Sequence, residues 1–108
     1  MDPETGMHIV SPYDIYFTQA TIRSTFQDGR PMTETLRQLE TSAIPIEAVP
    51  NIRVVWYKGR YWTLDNRRLW VFQRLKRPIK VILCHKDFVD NEFYTKLSSF
   101  TGGRNIVI

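Results

Sequence analysis

The sequence predicts an α+β domain, a mixed sheet with a hairpin feeding a helix N-terminus, on three observations. Residues 52–64 read "IRVVWY", then "KG", then "RYWTL". Two β-branched and aromatic runs flank a two-residue turn with glycine second, which is the pattern of a β-hairpin. Directly behind it, Leu69, Phe72 and Leu75 recur at helical spacing after Asp65, a residue type that caps helices. Finally, strand-like "IKVILCH" (79–85) follows that helix, while helical patterns precede the hairpin. Strands and helices are therefore mixed rather than strictly alternating. The 108 residues make one domain by length, large enough to bury a core without disulfide or metal staples.

Taken in order, residues 1–7 are polar and are expected to be a disordered N-terminal extension, with a single domain over 8–108. "IVSPYDIYF" (9–17) predicts a short strand and a turn. Ser11 and Asp14 have Ser-x-x-acid spacing, and Pro12 suits a first helical position. "TQATIRSTFQ" (18–27) predicts a helix with Ile22 and Phe26 on one face, ended by Asp28-Gly29. Pro31 opens a further helix over about 32–41, with Leu36 and Leu39 as its buried stripe. "SAIPIEAVPNI" (42–52), with two prolines and no period, is a connector leading into the hairpin.

The two-residue turn fixes the hairpin register. It sets Tyr57 against Arg60, Trp56 against Tyr61, Val55 against Trp62 and Val54 against Thr63. The next helix runs from Asn66 to about Leu75, with the Asp65 carboxylate expected to accept from the amide of Arg67 or Arg68, and "KRP" stops it. Beyond the strand, "DFVDNEFYTKLSSF" (87–100) is ambiguous between helix and loop. Gly102-Gly103 predicts a turn and "RNIVI" (104–108) a last strand.

Composition excludes several classes. One cysteine, Cys84, allows no disulfide within the chain, and its place in an apolar run makes it a small buried hydrophobe rather than a nucleophile. With two histidines beside it, no zinc site has standard ligand spacing. The longest apolar run, Val81 to Cys84, is far too short for a bilayer, and no signal peptide pattern opens the chain, so an intracellular place, cytoplasmic or nuclear, is expected. Charge is uneven. Residues 53–86 hold ten basic side chains and one acid, Asp65, while the rest holds five basic and ten acidic residues. Such asymmetry points to a polyanionic partner, nucleic acid, nucleotide or an acidic protein, or else to a solvated face evened out by the acidic half on folding.

The same residues resemble the ParB/sulfiredoxin superfamily from about residue 8 to the end. The stretches that carry the resemblance are "SPYDIYFTQATI", "FQDGRPMTETL", "VPNIRVVWYKGRYWTLDNRRLWVF" and "RPIKVIL". It implies a stand-alone, ParB-like domain whose functional motif lies where the hairpin meets the helix, here Asp65-Asn66-Arg67-Arg68. Asn66 stands where sulfiredoxins carry their cysteine. An amide is no nucleophile, so sulfinic acid reduction is not expected. Asp65 stands at the ParB glycine, which places a carboxylate where a nucleotide phosphate would lie and weakens any inference of CTP binding.

The site expected from this reading is an anion cradle. The first amides of a helix lack internal partners and sit at the positive end of its dipole. Arg67 and Arg68 can close over a phosphate as forked donors. Arg60, Lys58 and Arg53 extend the basic surface, and Trp62, with Trp56, Tyr57, Tyr61 and Trp70, offers rings for base stacking or simply fills the core. The leading expectation is a nucleic-acid- or nucleotide-binding module. The alternatives are a metal-dependent nuclease or nucleotide hydrolase, with Asp65 as base or ligand and Mg²⁺ as cofactor, and a non-catalytic module that binds an acidic protein or a second copy of itself.

Overall fold

The computed structural model describes residues 3–19, 21–26, 28–85, 103, 104 and 106. Among the described residues, five strands and two α-helices make an α+β domain around one mixed sheet. The elements are β1 (Gly6–Val10), β2 (Ile15–Tyr16), α1 (Met32–Glu40), β3 (Ile52–Tyr57), β4 (Arg60–Thr63), α2 (Asn66–Leu75) and β5 (Ile79–Cys84). Across the sheet the order is β1-β5-β3-β4-β2. Neighbours alternate antiparallel and parallel, with β1/β5 and β3/β4 antiparallel and β3/β5 and β2/β4 parallel.

The hairpin forms in the expected register, all four cross-strand pairs included. Its turn needs positive φ at both positions, and Lys58 (51°) and Gly59 (76°) supply it. Side chains alternate across the sheet. One face, with Ile52, Val54, Ile79, Val81 and Leu83, packs against Met32 and Leu39 of α1 and Leu69 to Phe72 of α2. The other face carries a smaller cluster of Val55, Trp62 and Leu64, with Tyr16, Tyr57 and half-buried Cys84 against it.

Between β1 and β2, Pro12–Asp14 forms a single 3-10 turn in which the Ser11 hydroxyl accepts from the Tyr13 amide (3.3 Å). The Tyr13 hydroxyl then donates to the Gln73 carbonyl (2.7 Å), fastening the turn to α2. α2 ends at Lys76, which takes a left-handed conformation (φ 57°) before Pro78.

Three expectations are corrected. Among the described residues of this stretch, 18, 19 and 21–26, none is helical. Thr25 instead forms an isolated bridge with Pro31. Thr18, Thr21, Ile22 and Thr25 are β-branched and disfavour helix, and the backbone of Thr18 and Gln19 is bonded elsewhere. β1 begins at Gly6, inside the stretch expected to precede the domain, because Gly6 and Met7 pair with Leu83 and Ile82. The cap of α2 differs as well, as described below. The expected helix or loop over 87–100 and the strand at 104–108 lie outside the described residues, apart from Arg104 and Ile106.

Candidate functional site

β4 runs from the hairpin turn to Thr63, so Leu64-Asp65 carries the chain from the sheet straight into α2. Asp65 holds the N-cap position but makes no side-chain cap bond. Its carboxylate turns toward β3. One oxygen accepts from the Arg53 amide (2.7 Å) and Nε (3.3 Å), and the other accepts from Arg53 Nη2 (3.0 Å). Arg68 Nη1 stands 3.6 Å from the first of these oxygens. Burial pushes the Asp65 carboxyl up, but the Arg53 side-chain and backbone hydrogen bonds and the charges of Arg68 and Arg53 outweigh it and hold it below the usual value. A carboxylate so held is a poor base, since its proton affinity is already spent on two cations.

Asn66 is 4% exposed and serves as a clasp. Its Oδ1 accepts from the amides of Thr18 (2.9 Å) and Gln19 (3.3 Å), and its Nδ2 donates to the Thr18 hydroxyl (2.8 Å). That clasp holds Thr18 and Gln19 at the start of α2, where Gln19, Phe26, Asp28 and Arg30 form a wall. Arg67 Nη1 reaches the wall at the Thr25 carbonyl (2.7 Å). Arg68 Nη1 donates to the Asn51 carbonyl (3.1 Å). Neither contact uses the whole five-donor fork.

Between the wall, α1 and the start of α2 lies a cavity of about 560 Å³, in the range of small-ligand sites. Asp65, Asn66, Arg67 and Arg68 all line it, joined by Arg53, Arg30 and Asp28. A second cleft of about 700 Å³ shares Arg67, Gln19 and Phe26 with it and adds Arg23. The structure therefore brings together four of the seven expected site residues. Lys58, Arg60 and Trp62 line neither cleft. Lys58 lies over the Tyr57 ring (5.3 Å) and Arg60 over Tyr16 (4.6 Å), at the turn end of the hairpin. Trp62 is 8% exposed, and its indole N–H donates to the Tyr57 carbonyl (3.0 Å). The remaining rings are also engaged in packing: Trp56 meets Tyr61 edge-on at 4.9 Å, and Trp70 is covered by Arg74 at 3.6 Å.

Arg30, Thr35 and Phe26 were not expected at the site. A signal existed for Arg30, because "QDGRP" is a turn whose basic residue stands next to a helix start. Reading 18–27 as a helix hid it.

No family model matches this chain, and no curated protein does. Among the described residues no group of three or more His, Cys, Asp or Glu side chains is placed to hold a metal ion. Nor is any described helix long and apolar enough to cross a membrane.

Proposed function

We propose that this domain is an intracellular, ParB-like binding module that holds the phosphate of a nucleotide or nucleic acid at the start of α2. One observation carries the reading. Arg67 and Arg68, consecutive in the first turn of a helix with no side-chain cap, line one cavity together with Arg30 and Arg53. Four guanidiniums face two carboxylates there, and Asp65 is already neutralised by Arg53 and Arg68. The remaining charge and the open amides of the helix start favour an anion. The resemblance of residues 8–108 to the ParB/sulfiredoxin superfamily supports the same turn as the working part. Catalysis by Asp65 finds no such support, because its carboxylate is clamped.

The test is a thermal-shift panel of ribonucleotides and short oligonucleotides at two salt concentrations. A ligand specific to the folded state raises the melting temperature with occupancy, and a phosphate ligand does so less at high salt. The double variant Arg67→Gln, Arg68→Gln should remain folded and lose the shift. If it binds as wild type does, the anion sits elsewhere.

A further inference from the structure

The cavity at the start of α2 adjoins the second cleft, because Gln19, Phe26 and Arg67 line both. At about 560 and 700 Å³, each is of a size that holds one small ligand. Among the described residues the second cleft is lined by two cations, Arg23 and Arg67, and by no carboxylate. Its remaining polar lining is neutral, in Gln19, Thr21 and Thr25. Positive charge with no acid beside it favours an anion here as well as at the helix start.

Three side chains connect the two spaces to one kind of ligand. Arg67 stands at their boundary, where its Nη1 donates to the Thr25 carbonyl (2.7 Å) and so uses one of its five donors. Arg23 is exposed and makes no hydrogen bond or ion pair among the described residues, so its charge serves no contact of the described fold. Phe26 is half-buried and presents an apolar ring to both clefts, a surface on which a base can stack. A mononucleotide fills one cleft and leaves the cation of the other unanswered. A chain of successive phosphates answers both, and a base is free to stack on Phe26 only when it is unpaired.

We infer that the two clefts are successive subsites for a single-stranded nucleic acid, with one phosphate held by Arg67 and Arg68 at the α2 start and the next by Arg23 in the second cleft. This rests on the phosphate reading above. It adds Arg23 to the binding residues and names a single strand, rather than a free nucleotide, as the ligand that occupies the whole surface.

The experiment titrates wild type, Arg23→Gln and Arg23→Lys with thymidine monophosphate, a single-stranded thymidine tetranucleotide, its uridine counterpart and a short DNA duplex, at several salt concentrations between about 50 and 200 mM. Melting curves of each free protein accompany the titrations, and all three should coincide. Wild type should bind at least one of the two tetranucleotides about tenfold more tightly than the monophosphate. Arg23→Gln should weaken that binding and flatten its log–log dependence on salt by about 0.7, the loss of one phosphate contact on a single strand, while its affinity for the monophosphate stays at the wild-type value. Arg23→Lys, which keeps the charge, should keep the slope. Equal affinity of wild type for monophosphate and tetranucleotides overturns the second subsite and leaves the phosphate site at α2 standing. Unchanged tetranucleotide binding in Arg23→Gln does the same, and so does equal weakening toward the monophosphate, which would make Arg23 part of a diffuse field. A duplex bound as tightly as the single strand overturns the choice of ligand. If wild type binds none of the four, the phosphate reading and this assignment fail together.

Discussion

Asn66 and Thr18, 48 positions apart, are joined twice: the Thr18 amide donates to Asn66 Oδ1 at 2.9 Å and Asn66 Nδ2 donates to the Thr18 hydroxyl at 2.8 Å. Only a side chain with adjacent acceptor and donor does both. Asn66→Ala would leave the buried Thr18 amide and the part-buried Gln19 amide without their acceptor, while the Thr18 hydroxyl keeps its bond to the Thr63 carbonyl, at a cost of about 1–3 kcal/mol. Asn66→Asp keeps the acceptor and loses the donor, so it should fall between. Urea unfolding midpoints at neutral pH measure both. Because the clasp seats the cavity wall, Asn66→Ala should weaken ligand binding even at temperatures where the domain is fully folded.

The Asp65 clamp makes a prediction about acid. Its carboxyl lies below the usual value when folded, so in acid the unfolded chain binds the extra proton first. Its contribution is complete above the unfolded carboxylate pKa of about 4 and is lost as pH falls further, through the folded value. Wild type should therefore lose more stability between pH 6 and pH 3 than Asp65→Asn, which should already be less stable at pH 6 by about 1–3 kcal/mol. Parallel stability–pH curves for the two proteins would contradict this.

At the other end of the hairpin, Lys58 adopts φ 51° ahead of Gly59 at 76°. Asparagine tolerates that conformation better than lysine, and Asn-Gly is the favoured pair for this turn. Lys58→Asn should raise stability by about 0.5 kcal/mol, a few degrees in Tm. Since Lys58 lines neither cleft, the same variant should leave nucleotide affinity unchanged. Lost affinity would return the hairpin turn to the site.

What the sequence made legible was local. The Lys-Gly turn sets the strand pairing without reference to the rest of the chain, and the hydrophobic spacing of α1 and α2 places both helices to within a residue or so. What it hid was decided at long range. Asp65 looks like a cap, but the Arg53 amide, twelve residues back on the paired strand, takes its carboxylate. Residues 18–26 show helical spacing at Ile22 and Phe26, yet their start is bonded to Asn66, and no local propensity announces that. Lys58, Arg60 and Trp62 stand close in sequence to Arg67. However, the rise of β4 carries Lys58 and Arg60 away from the helix start, and Trp62 belongs to the cluster on the other face of the sheet, so closeness along the chain did not become closeness in space.

The two arginines differ in what they can be replaced by. Lysine keeps the charge but loses the planar fork that grips phosphate through two parallel bonds. In Arg67→Lys, Arg68→Lys, nucleotide binding should weaken by about tenfold while staying sensitive to salt, because the long-range attraction survives and the short-range geometry does not. The doubly neutral Arg67→Gln, Arg68→Gln protein should lose both, with residual binding nearly independent of ionic strength. Each exchange also removes a contact to a backbone carbonyl, Thr25 for Arg67 and Asn51 for Arg68, so melting curves must accompany the titrations. Titrations at two or three salt concentrations separate the cases. A lysine pair that binds as tightly as the arginines would mean that the cavity attracts its anion as a diffuse field, and that the paired forks are not what hold it.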